Sequence, residues 1–295
     1  MKLKRARAAL ACVALLATVA ACGDAGSDDS GREVDADTDA ASELPEGSRM
    51  AEIRDSGKVV VGVKFDQPGL GFKSATADRP SGFDIEIAKI LVSKLGFNPD
   101  GSDVVWEETV SDNREPFLES GKVDLVLASY SITDDRRKVV GQTGPYMVTG
   151  QQLLVKSDSA VESIADLKGK EVCSVTGSTS IDRINAEGAK GVGFDSYSEC
   201  VQKVLDGTVE GMSTDGSILA GYAAENEGEL KVVGEPFSEE LIGVGYSQDH
   251  PEMCEWINSV LESSFEDGSW AEAFELTLGP SGVETPDPPT LQPCQ

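Results

Sequence analysis

Short runs of β-branched and aliphatic residues alternate with helix-like segments, and the alternation runs through twice. No other feature constrains the fold as much. Residues 58–63 (KVVVGV) are apolar at nearly every position, as in a parallel strand buried on both faces. A helix pattern follows from Gly82, with Ile87, Ala88, Leu91 and Leu95 on one stripe and Gly96 as its stop. Residues 104–108 read as a second strand, 113–118 as a helix start ended by Gly121, and 123–127 as a third strand. The run 146–155 (YMVTGQQLLV) is too continuous for a loop and predicts a strand that crosses to a second unit. There the pattern restarts. A strand at 171–175, a helix through Ile181 and Ile184, a helix at 200–205 and a strand at 207–212 lead to another crossing strand at 241–246 (LIGVGY). Helices at 251–265 and 269–276 and a Pro-rich extended tail complete the chain. Such alternation predicts open, mostly parallel α/β sheets whose ligands sit beyond the strand ends. Two α/β lobes joined by two crossing strands describe a hinged clamshell with a ligand between them. The expected division is 49–149 with 247–295 for lobe 1, and 150–246 for lobe 2.

The strand ends supply candidate site residues. After the third strand comes ASYSITDDRR, residues 128–137. Ser129 and Ser131 offer hydroxyl and backbone groups, Thr133 can cap a short helix, and Arg136 lies one turn in. A strand end with donors and a guanidinium fork suits a carboxylate. Lys64 ends the first strand, and Arg114 follows Asn113 near the second. In lobe 2 the small-residue turn 176–180, with Ser178 and Thr179, opens a helix and presents backbone N–H groups. Asp215 ends a later strand. Taken singly, an exposed arginine in a salt bridge or an ordinary strand-to-helix turn explains each feature equally well.

The start of the chain resembles an export signal. Lys2, Lys4, Arg5 and Arg7 precede an apolar run from Ala8 to Ala20, too short to span a membrane. It ends in Val19-Ala20-Ala21-Cys22, similar to a bacterial lipobox, so Cys22 is the expected lipidation site after loss of 1–21. Residues 22–48, rich in Asp, Ser, Ala and Gly, are expected to form a disordered acidic tether. Of the 25 Lys and Arg residues, removal of 1–21 takes four and none of the 52 acids, leaving 21 bases against 52 acids. That charge repels nucleic acid and anionic lipid headgroups, favours a soluble monomer, and makes any base near the site informative. The remaining Cys173, Cys200, Cys254 and Cys294 allow three pairings; Cys173–Cys200 with Cys254–Cys294 keeps each bond within one lobe. With no CxxC and His250 the sole histidine, neither a metal site nor a Cys–His nucleophile is expected, and no cofactor.

The stretch GFDIEIAKIL at 82–91 resembles the signature of family 3 bacterial extracellular solute-binding proteins, the binding proteins of polar amino acid ABC transporters. The resemblance runs from Met50 to about Leu278 through KFDQPGLGF, NREPFLESGKVDLVLASYSITDDRR, GPY, VTGSTS, YSECV, ILAGYAA and VVGEPFS, in order. Within the family it is most like glutamate-binding lipoproteins of actinobacterial type. The resemblance implies a periplasmic-binding-protein-like type II fold and delivery of L-glutamate or L-aspartate to a permease, from a lipid anchor on Cys22. It implies Arg136 for the ligand α-carboxylate, Ser129 and Ser131 for the α-amino and α-carboxylate groups, and Asp215 for the α-ammonium. Ser178 and Thr179 would close on the carboxylate, and Lys64 with Arg114 would hold the side-chain carboxylate. Close relatives often carry a second acid after the Asp215 position, where this chain has Gly216 and Ser217. Lys64 gives a point charge where an arginine would give a fork. A sensor module would have the same site. Arogenate-type dehydratases share the fold, but no His or Cys here suits acid–base work on a substrate carbon.

Overall fold

The computed structural model describes residues 31–294. The export signal and Cys22 lie outside the described residues. The strands in chain order are β1 (Val59–Val63), β2 (Asp66–Gln67), β3 (Gly71–Phe72), β4 (Val104–Glu108), β5 (Leu125–Leu127), β6 (Gly141–Thr149), β7 (Gln151–Lys156), β8 (Glu171–Val175), β9 (Lys190–Phe194), β10 (Gly211–Asp215), β11 (Leu230–Val233) and β12 (Glu240–Tyr246). They form two five-stranded sheets, ordered β4-β1-β5-β12-β6 and β11-β7-β10-β8-β9, with β2 and β3 as a separate ribbon. In the first sheet β1 runs parallel to β4 and β5, while β12 is antiparallel to β5 and β6. In the second, β9 and β10 flank β8 in parallel, and β7 is antiparallel to β10 and β11. This is the two-lobed α/β fold the sequence predicts.

Only Gly150 separates β6 of the first sheet from β7 of the second. A Cβ at Gly150 would lie 2.5 Å from the Ser238 carbonyl oxygen, so the two crossings pass side by side where only glycine fits. The return crossing lies earlier than expected. β12, expected in lobe 2, pairs along its length with β6 and joins the first sheet, so lobe 1 resumes at Glu240 instead of 247. Residues 241–246 are apolar enough for either sheet, and pairing partners so distant in sequence leave no local mark. Four elements were also absent from the sequence reading or displaced in it: β9, β11, the helix Gly216–Glu225, and β10, which begins at Gly211.

Lobe 1 is built on the helix Phe83–Lys94, which buries every residue from Phe83 to Ser93. Phe83 packs edge-on against Trp270 and Phe274 of the C-terminal helix Ser269–Thr277, and Trp270 Nε1 donates to the Tyr146 carbonyl at 2.7 Å. Truncating a fully buried tryptophan of this kind to alanine costs about 3–5 kcal/mol. The same helix buries Glu86 and Lys89 as an ion pair at 2.8 Å. What covers them is the segment expected to be a free tether. The Arg32 amide donates to Glu86, Lys89 Nζ donates to the Arg32 carbonyl, and Arg32 Nη1 donates to the Ser269 carbonyl at 2.7 Å. Further along, Ser93 Oγ donates to the Asp35 carbonyl, Lys94 pairs with Asp37, and a short helix Thr38–Ser42 follows. Residues 31–48 are therefore part of lobe 1, held by these hydrogen bonds and ion pairs and by Ala41 and Leu44, which are buried in its core.

The disulfides are Cys173–Cys200 in lobe 2 and Cys254–Cys294 in lobe 1, with Cα separations of 5.7 and 5.8 Å. The second bond ties down the extended tail, where the Gln292 amide donates to the Gly144 carbonyl and Arg137 to Gln292 Oε1. Among the described residues no helix is long and apolar enough to cross a membrane.

Candidate functional site

The carboxyl ends of β1 and β5 and the helix start at Arg114 meet, from the other lobe, the turn before the helix Ser180–Ala186 and the end of β10. All the residues singled out from the sequence line one cavity between them: Lys64, Arg114, Ser129, Ser131 and Arg136 from lobe 1, and Ser178, Thr179 and Asp215 from lobe 2. Gln67, Ser111, Ser180 and Tyr197 complete the lining. The enclosed space is ≈ 10 Å³, about the room for one water, so a larger solute enters only when the lobes part.

Positive charge is concentrated here. Lys64, Arg114 and Arg136 are 3, 2 and 9 % exposed. Lys64 Nζ donates to Ser111 Oγ at 2.9 Å. Arg114 is held by backbone carbonyls of Ser111, Ala128 and Ser129 in its own lobe and of Gly177 in the other. Arg136 donates to the Ser131 carbonyl at 2.7 Å and to the Gly177 carbonyl at 3.1 Å, and pairs with Glu115 at 3.1 Å. Both guanidiniums lie over the Tyr130 ring, 4.5 and 4.8 Å from its centre, which fixes their planes. Thr133 Oγ1 accepts the Arg136 amide and caps the short turn that carries it.

These charges press on one another. Burial, then repulsion from Arg114, lowers Lys64 from 10.5 to about 7. Burial and Arg136 lower Arg114 to about 10, which still leaves it charged at neutral pH. On the facing lobe, burial and the nearby Glu240 raise Asp215 to about 7. An anion placed among the three bases, with a cation against Asp215, would relieve all of these strains.

Two details differ from the expectation of free donors at the strand end. Ser129, the one non-glycine residue with positive φ (46°) among those described, gives its amide to Asp84 at 2.8 Å and its hydroxyl to Gln67 Oε1 at 2.6 Å. Its donors are thus used inside lobe 1, and its carbonyl serves Arg114. Asp84, wholly buried, also accepts from the Tyr146 hydroxyl at 2.7 Å, and burial raises its pKa. In lobe 2, Thr179 stands at the cap position of the helix without capping it, while Ser178 Oγ accepts the Ser180 amide at 3.3 Å.

Gln67 and Tyr197 escaped the sequence reading. Gln67 is fully buried, and its Nε2 has no protein partner. Only the β2–β3 ribbon turns it toward the cavity. Tyr197 begins the helix Tyr197–Leu205, and its hydroxyl accepts from Thr214 Oγ1 at 2.7 Å. A lone aromatic at a helix start carries no sequence signal of a site.

Comparison with known proteins follows the same lines. Bacterial extracellular solute-binding proteins, family 3, match the chain over residues 59–278. The chain belongs to this family. It is 37% identical over 244 residues to the glutamate-binding protein GluB of Corynebacterium efficiens, covering 79% of this chain and 83% of that one. It is also 33% identical to the ABC transporter glutamine-binding protein GlnH of Bacillus subtilis, over 90% of this chain and 94% of that one. Among solved structures, the ancestral amino acid-binding protein AncCDT-1, a precursor of cyclohexadienyl dehydratase, superposes with a TM-score of 0.71 at 32% identity, over 78% of this chain and 100% of that one. This solute-binding protein therefore has relatives named for glutamate and for glutamine, and the ligand must be argued from its own cavity.

Proposed function

We propose that this protein captures an acidic amino acid, L-glutamate with L-aspartate as the shorter alternative, and delivers it to an ABC transporter permease, tethered through lipid on Cys22. One observation carries the reading: Lys64, Arg114 and Arg136 are buried around one cavity, opposite Asp215. Glutamate carries two carboxylates and one ammonium. In the proposed pose Arg136 takes the α-carboxylate, Asp215 the α-ammonium, and Lys64 with Arg114 the side-chain carboxylate, so that each charge meets its opposite. Ser131, Ser178 and Thr179 border the α-carboxylate end, while Ser129 acts through Gln67 and Arg114.

Glutamine is the competing ligand, and two features favour it. Lys64 is brought down to about 7, and Arg114 has most of its donors on backbone carbonyls. Against it stands the charge of the cavity wall: three bases line it against one acid, Asp215, and a neutral side chain brings nothing to offset the excess. Asp215 at about 7 also has the acidity a general base needs, which keeps dehydratase chemistry as the alternative activity. Calorimetry of the mature protein against all twenty amino acids, with the recovered ligand assayed for conversion, tests the proposal. Tightest binding of glutamate, recovered unchanged, is the expected outcome; tightest binding of glutamine, or turnover of the ligand, refutes it.

A further inference from the structure

Outside the cavity, the β2–β3 ribbon of lobe 1 reaches across to lobe 2. The Asp66 carboxylate accepts the backbone amides of Tyr197 at 2.9 Å and Ser198 at 3.4 Å, the first two residues of the helix Tyr197–Leu205. These amides have no acceptor within the helix, and the helix dipole favours an anion there. The Asp66 carbonyl also accepts the Tyr222 hydroxyl of the helix Gly216–Glu225. Two residues on, the Pro68 carbonyl lies against Gly221 of that helix, where a Cβ would come within 2.2 Å of its oxygen. The ribbon tip thus docks between two helices of the other lobe, and Asp66 does not line the cavity.

We infer that Asp66 and Gly221 form a clasp that sets how readily the lobes close, and so sets affinity without choosing the ligand. Apparent affinity scales with the fraction of protein able to adopt the binding-competent form. A clasp outside the cavity changes that fraction by the same factor for every ligand. A residue touching the ligand changes one ligand more than another. The inference rests on the proposed two-lobe capture, but not on which amino acid is captured.

The test compares wild type with Asp66→Ala, Asp66→Asn and Gly221→Ala, using calorimetry with each amino acid that wild type binds and interlobe distances from one spin label on each lobe. Gly221→Ala improves helix propensity, so lobe 2 keeps or gains stability while the docked ribbon is pushed out. Asp66→Ala removes a charged acceptor and should weaken every ligand about ten- to a hundredfold, unequally because the Asp66 carboxylate also supports the Lys64 ammonium; the equal factor is read from Gly221→Ala, which removes no charge. Asp66→Asn keeps an acceptor and should recover part of the loss. Gly221→Ala should weaken every ligand by one common factor in that range and reduce the short-distance population at saturating ligand, with melting temperature unchanged or raised. Affinities within twofold of wild type for Asp66→Ala or Gly221→Ala overturn the clasp, as does a loss confined to one ligand in Gly221→Ala. If wild type binds none of the twenty amino acids, the functional proposal falls. The clasp then stands if unliganded wild type has a short-distance population that Gly221→Ala depletes, and falls if it does not.

Discussion

Replacing Lys64 with methionine should move glutamate and glutamine in opposite directions. Burial and repulsion from Arg114 take the Lys64 ammonium from its ordinary 10.5 to about 7, so keeping it charged in the closed cavity costs at most about 5 kcal/mol at neutral pH. A ligand carboxylate beside it returns much of that cost; a carboxamide does not. Lys64→Met keeps an unbranched side chain one atom shorter and removes the charge. Glutamate should weaken by about 2–5 kcal/mol, the loss expected when one member of an enclosed charge pair is removed. Glutamine should bind more tightly, because closure no longer desolvates a cation. Together the glutamate-to-glutamine preference should fall at least about a hundredfold. The pH dependence has a definite sign. The closed form with a neutral ligand binds fewer protons at Lys64, so closure is most opposed below pH 7 and the opposition fades as pH rises above 7. From pH 7.5 to 8.5 glutamine affinity for wild type should therefore rise, up to the roughly tenfold limit for one proton released. Glutamate affinity should stay nearly flat, and Lys64→Met should abolish the glutamine slope. Asp215, at about 7, is largely ionised above that range and adds little slope. Calorimetry of both ligands at the two pH values is the assay. Equal losses for both ligands, or a flat glutamine profile in wild type, would refute the placement of Lys64 at the side-chain end.

Other outcomes follow from the same geometry. Arg136→Ala should abolish binding of every amino acid, a loss of about 2–5 kcal/mol or more, with the circular dichroism spectrum unchanged; binding of glutamate within a factor of two would place the α-carboxylate elsewhere. Deleting residues 31–37 should lower the melting temperature of lobe 1, because the Glu86–Lys89 pair loses the cover of Arg32; an unchanged melting curve would mean the segment adds nothing. Cys22→Ser should release the protein from the membrane fraction, and retention there after signal removal would require another anchor.

Much of the site was legible because its charged residues lie at positions where α/β sheets place ligands. Lys64 follows β1 and Arg136 lies beyond β5 in lobe 1, while Asp215 ends β10 in lobe 2; alternation puts each at its own sheet's strand ends, and the two crossings bring those ends face to face. Gln67 was not legible, since its direction depends on a two-residue ribbon with no periodicity to read. The same holds for the return crossing: residues 241–246 are compatible with either sheet, and only their pairing with β6 assigns them to lobe 1. The segment 31–48 was misread for another reason. Many of its contacts are made by Arg32, Asp35 and Asp37 with backbone and charged groups, which compositional rules count as solvated, and its two core residues, Ala41 and Leu44, are too few to form a pattern.

The most direct test of the site is a crystal structure of the protein grown with glutamate. The expected pose has the side-chain carboxylate within hydrogen-bond distance of Lys64 Nζ and the Arg114 guanidinium, the α-carboxylate on Arg136 and the α-ammonium on Asp215. A glutamate bound the other way round, with its α-carboxylate on Lys64 and Arg114, or bound outside this cavity, would contradict the account.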